Sequence, residues 1–155
     1  MSKFWSASGT IEALGNSDIK QDGTLYSVVK LRTPDGKPQT MSDVVFMRRT
    51  HVEAVVGGRL DLLGFTSKGK NLVYAVVRDG EVSEDIEQVG KTKKLFLLMA
   101  AVFIVPAVVL AWTIIVPILA LPAIVLNLVN ASRLPGGGEM RRELARHLAA
   151  RGASS

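Results

Sequence analysis

The 155-residue chain predicts a mainly β N-terminal domain, a five-stranded barrel with one short helix, followed by an α-helical transmembrane hairpin and a short amphipathic C-terminal helix. Three observations predict this. Residues 1–88 alternate strand-like runs with strong turn signals. Residues 95–129 contain no charge, and Thr113 and Asn127 are the polar side chains there. Residues 139–150 then repeat apolar positions every four residues among arginines.

The front domain, residues 1–88, opens on "KFWSASGTIEAL", whose partial alternation of apolar and small residues suits a strand. "TLYSVVKLR" and "QTMSDVVFM" flank "TPDGKP", where Asp35-Gly36 between two prolines predicts a hairpin turn. "RLDLLGF" and "NLVYAVV" flank "TSKGK", a second hairpin. Between the hairpins lies "RRTHVEAVVGG". Thr50 and Glu53 have capping-box spacing. Val52, Val55 and Val56 fall on one helical face, and Gly57-Gly58 stops the helix. Three strands, a short helix and two strands in about 85 residues resemble the OB-fold, a Greek-key barrel with its helix between the third and fourth strands. The resemblance covers just over half the chain and rests on element order. An SH3-like or other small barrel is the alternative.

Residues 81–88, "EVSEDIEQ", read as a solvated acidic linker, and 89–94 as a basic juxtamembrane segment. Residues 95–131 then form the hairpin. As one helix, 35 residues would span about 52 Å against a hydrocarbon core of about 30 Å. Two shorter helices fit better, and basic flanks on both sides place both ends in the cytoplasm. The turn is expected at about 112–116, between helices over 93–111 and 117–131. Trp112 suits the interface, Pro117 opens the second helix, and Pro106 and Pro122 fall inside the helices. A re-entrant hairpin and a single bent span are the alternatives.

The tail, 132–155, holds the amphipathic helix over 139–150. Met140, Leu144 and Leu148 form its apolar stripe, with Arg141, Arg142 and Arg146 around it. Such a helix lies on anionic lipid or frays in solvent. Lys91, Lys93, Lys94, Trp112, Arg133, Arg141, Arg142 and Arg146 are thus the expected membrane-interface anchors.

Charge distribution weakens a nucleic-acid reading. The net charge is +5, yet residues 1–88 carry 11 basic and 12 acidic side chains; the surplus sits beside the apolar block. The chain has no cysteine, which excludes thiol chemistry and disulfides. His51 and His147 lack neighbouring ligand patterns, so no metal or cofactor is expected. The N-terminal residues lack the apolar core of a signal peptide. A ligand face on the barrel would draw on Trp5, Tyr26, Lys30, Arg32, Arg48, Arg49, Arg59 and Tyr74. The expectation is a non-enzymatic integral protein of a bacterial inner membrane, both termini cytoplasmic. Its barrel would serve as a protein-interaction, scaffold or assembly module. The partners are the lipid bilayer and a protein partner or homo-oligomer, with nucleic acid disfavoured. The alternatives are a membrane-tethered single-strand nucleic-acid-binding protein and a pore-forming or lysis-type oligomer.

Overall fold

The computed structural model describes residues 3–20, 23–109 and 115–152. Seven strands and four helices follow in the order β1 (Lys3–Leu14), β2 (Ser17–Lys20), β3 (Gly23–Arg32), β4 (Pro38–Met47), α1 (Arg48–Val52), β5 (Arg59–Ser67), β6 (Lys70–Arg78), β7 (Glu81–Glu84), α2 (Ile86–Val109), α3 (Ile115–Ser132) and α4 (Gly137–Gly152). They divide into two compact units, Ser2–Ile86 with Gly138–Ser155, and Glu87–Gly137.

The first unit is built on a closed five-stranded barrel. Around it the strands pair β1–β5–β6–β4–β3, and β3 returns to β1; only β4 and β6 run parallel. Closure depends on β1, which pairs with β5 over residues 3–10 and with β3 over 10–14, with an irregular register between Ile11 and Ala13. Gly9 sits at the crossing, where a Cβ would come within 2.4 Å of the Arg32 carbonyl oxygen, so no larger residue fits without moving a strand. Ile11, Val29, Leu31, Val44, Phe46, Leu62, Val73 and Val76 fill the interior and are wholly buried. This barrel is consistent with the OB-like expectation.

Both expected hairpin turns form. Thr33 N–H donates to the Lys37 carbonyl (2.9 Å) across the Asp35-Gly36 turn. Lys68 and Gly69 have positive φ (53° and 76°), the type I′ geometry that matches strand twist. Two strands exceed the expectation. β2 pairs with β3, and β7 pairs with β6 through another type I′ turn at Asp79-Gly80 (φ 50° and 90°). Of the segment read as a solvated linker, Glu81–Glu84 is therefore a strand, Asp85 is buried, and Ile86 already opens α2.

The outer face of the β1–β5–β6 wall is also apolar. Leu63, Phe65 and Tyr74 are buried there, and Phe4 meets both aromatic rings edge-on at 6.5 and 6.2 Å. Helix α4 lies against this wall, with Met140 fully buried and Leu144 nearly so. At its far end His147 and Arg151 hold the Asp61 carboxylate at 3.2 and 2.8 Å. The stripe assigned to lipid is thus taken up by the protein itself; only Leu148 remains substantially exposed.

The second unit holds α2 and α3. Among the described residues, no helix is long and apolar enough to cross a membrane. This overturns the transmembrane hairpin, and with it the integral-membrane function and the inner-membrane placement with two cytoplasmic termini; the tethered and pore-forming alternatives fall too. The reason lies in how the apolar block is divided. Helix α2 begins at Ile86 and carries Glu87, Lys91, Lys93 and Lys94 in its first turns. Its uncharged part, 95–109, is about 22 Å long, short of a hydrocarbon core of about 30 Å. Helix α3 contains Pro122 and ends on Asn127, Asn130 and Ser132. Asn127 donates back to the Ala123 carbonyl (2.8 Å) and Ser132 to that of Val129 (2.9 Å). Of the expected turn, residues 112–114, including the anchor Trp112, lie outside the described residues, and Ile115 and Val116 already belong to α3.

Candidate functional site

The strongest candidate is the corner between β4 and β5. The sequence places a capping box at Thr50 and Glu53, but α1 starts two residues earlier, at Arg48, and its N-cap, Met47, offers no side-chain bond. The cap comes from far along the chain. The buried carboxylate of Asp85 accepts the N–H groups of Arg49 and Thr50, each at 3.0 Å. Thr50, wholly buried, donates its hydroxyl to the Met47 carbonyl instead (3.1 Å). Glu53, the C-cap residue, turns its carboxylate to the Ser83 hydroxyl (3.3 Å) and to Arg78 (3.8 Å). Two backbone bonds then fix the return to β5: Gly57 N–H to the Ile11 carbonyl (2.7 Å), and Ile11 N–H to the Gly58 carbonyl (3.2 Å).

These ties decide what faces outward. Ala54 enters the core, whereas Val52, Val55 and Val56 are 70%, 49% and 55% exposed. The helical face expected to bury these valines does not form, because α1 ends at Val52. Three apolar side chains within five residues therefore stand in water, flanked by the exposed Arg48 and Arg49, four and three residues before Val52. Glu53, the acidic residue of this segment, is engaged with Arg78 and Ser83. The corner is apolar with a positive rim.

The ligand-face residues read from the sequence do not gather on one face. Lys30, Arg32 and Arg59 do come together. Arg32 and Arg59 lie opposite Thr10 from either side, Lys30 is two residues along β3, and all three are exposed. Arg32 is paired with Glu12. Arg48 and Arg49 belong to the valine corner. Tyr26 is half-buried, stacked on the His51 ring (5.9 Å between centroids) and bonded through its hydroxyl to Nε2 (2.9 Å). Trp5 packs against the barrel core, over Gly64, with its indole nitrogen buried and without a bonding partner. Tyr74 is buried in the outer wall; burial, and next the charge of Glu143, push its hydroxyl pKa up to about 12. Of the anchors, Lys91, Lys94, Arg133, Arg141, Arg142 and Arg146 are exposed and Lys93 is half-exposed. Arg146 pairs with Glu143 at 3.0 Å.

A cavity of about 300 Å³ opens between α4 and the barrel wall, lined by Phe4, Trp5, Ser6, Leu63, Glu143, Arg146 and His147. Its charged groups are of both signs, and Glu143 and Arg146 satisfy each other. Among the described residues, no three His, Cys, Asp or Glu side chains are grouped to hold a metal ion. Sequence reasoning missed Asp85 and Asp61, the two buried carboxylates that fix α1 and α4. Position gives no signal for either, since their partners lie 35 and 86 residues away.

Comparison with known proteins returns no match, whether to a family model, a curated protein or a solved structure.

Proposed function

We propose that the barrel is a non-enzymatic protein-interaction module of OB-like topology. It docks a partner segment that combines apolar and acidic side chains at the β4–β5 corner. One observation carries the reading: Val52, Val55 and Val56 are exposed in a segment that four hydrogen bonds hold fixed. An apolar cluster with a charged rim is the usual anatomy of a protein-binding patch. Because the rim is Arg48 and Arg49, an acidic flank on the partner is the complementary one. Base stacking finds less support, since Tyr74 is buried and Tyr26 is covered by His51.

The test is site-specific photocrosslinking in the native host. A photoreactive amino acid replaces Val55 in the full chain, and a second version carries it at Lys30 as control. The reading expects an adduct from position 55 whose mapped peptide holds acidic and apolar residues, and loss of that adduct on Arg48→Glu with Arg49→Glu. The same adducts from both positions, or an adduct insensitive to the arginine changes, would refute it.

A further inference from the structure

We propose that the outward faces of α2 and α3 form an interface between copies of this chain. The two helices are inverted relative to an ordinary surface helix. Ala100 and Ala131 are buried, while Leu95, Leu98 and Val102 on α2 and Leu121, Val125 and Leu128 on α3 are 44–62% exposed. They are six of the eleven large apolar side chains exposed on the described parts of the two helices. On α2 the steps are three and four residues, on α3 four and three. That alternation is the heptad seam that sets knobs into the holes of a facing helix. A solvent-facing seam would carry charge, and residues 95–129 carry none.

The amount of surface agrees. Among the described residues of 95–129, six large apolar side chains on α2 and five on α3 are more than a third exposed. At roughly half exposure each leaves on the order of 50 Å² of apolar surface uncovered, so about 500 Å² per chain. That reaches the largest patch an ordinary monomer shows; burying all eleven in both copies would cover about 1,000 Å², the size at which specific interfaces begin, and the six seam side chains supply about 600 Å² of it. The absence of charge selects the occupant. A charged partner group would be desolvated on this surface with no counter-charge to meet it. The matching surface must be uncharged, apolar and spaced alike, and the chain itself bears such a surface on both helices. A two-fold arrangement sets each seam against its own kind.

The lack of cysteine makes the test clean. Leu98→Cys, Val125→Cys and, on the barrel, Ile19→Cys are made separately in the full chain; Ile19 is 80% exposed and outside the proposed interface. Intact cells are treated with a permeable bismaleimide before any extraction. The proposal expects a band of twice the chain mass, containing this chain alone, from positions 98 and 125, at least fivefold stronger than from position 19. It also expects purified full-length protein to sediment as more than one copy and to fall to one copy on Leu98→Glu with Leu121→Glu. Equal yields from all three positions overturn it, as does crosslinking of 98 and 125 to a different protein. A single-copy mass without in-cell adducts, in buffer or in a detergent particle, also overturns it and assigns the face to another occupant, lipid included.

Discussion

Replacing Asp85 tests whether the corner is held from a distance. Its carboxylate accepts two backbone N–H groups at 3.0 Å, and one belongs to the wholly buried Thr50. A helix of five residues has no stability of its own. Asp85→Ala removes an N-cap, a loss of about 0.5–2 kcal/mol. It also strands a buried donor, which costs about 1–3 kcal/mol. These two descriptions overlap, so the expected loss is about 2–3 kcal/mol. Asp85→Asn keeps an accepting oxygen and gives up the charge; hydrogen bonds to charged groups are roughly twice as strong as neutral ones, so about half the loss is expected. Urea unfolding of the full chain, followed by tryptophan fluorescence, measures both. Trp112→Phe as background leaves Trp5, which packs on the barrel core, as reporter. Constant m-values would confirm that stability alone has moved. A loss under about 0.5 kcal/mol for the alanine variant, or equal losses for the two, would refute the capping role. Photocrosslinking from position 55 should weaken in the same order, since the valines depend on α1.

Three further outcomes follow from the packing. Met140→Ala should cost about 2–4 kcal/mol in the same unfolding assay, because Met140 is wholly buried under α4. Leu148→Ala, on the same stripe but substantially exposed, should cost less than about 1 kcal/mol; equal losses would mean that α4 does not dock as described. Gly64→Ala should destabilise by at least about 1–3 kcal/mol, since the added Cβ would lie 2.1 Å from the Trp5 ring; an unchanged transition midpoint would contradict that contact. Tyr74, with its pKa raised from 10.0 to about 12, binds its proton more tightly folded than unfolded. The resulting stability is complete below pH 10 and is lost as pH rises toward 12, by roughly 3 kcal/mol in all. Tyr74→Phe should flatten that alkaline limb, and an identical limb in both proteins would rule Tyr74 out as its source.

Local signals carried most of the barrel. Asp35-Gly36 and the Ser67–Lys70 turn could be read because turn geometry demands those residue types where they stand. The Asp79-Gly80 turn carried the same signal, but four acids downstream drew 81–88 toward a solvent linker. That composition masked the pairing of β7 with β6, which satisfies backbone groups and is indifferent to side-chain charge. β2, "SDIK", holds one apolar residue and no alternation, so its pairing with β3 leaves no periodic trace. In α4 the stripe of Met140, Leu144 and Leu148 was legible, but its cover was not. An amphipathic pattern reports that a face wants burial and is silent on whether lipid, a partner or the same chain supplies it. The apolar block misled in the same way, since length and hydrophobicity were visible while the early start of α2 at Ile86 was not.

The valine corner follows from the tethers around it. A helix continued through Val56, as the i, i+3, i+4 spacing invites, would carry the chain away from β1. The bonds between Ile11 and Gly57-Gly58 require the opposite, that residues 53–58 double back along β1. The helix therefore stops at Val52, the small Ala54 takes the core position, and Val55 and Val56 turn outward. Exposing three valines, each 49–70% uncovered, forgoes burial worth about 1 kcal/mol for each. The bonds from Asp85, from Glu53 to Arg78 and Ser83, and along Ile11 are what stabilise the arrangement against collapse. A surface fixed in this way has already met the ordering cost that a mobile loop would meet on association. The buried carboxylate drawn from 35 residues away fixes the corner, and the crosslinking yield from position 55 in the Asp85 variants tests whether that fixation serves association.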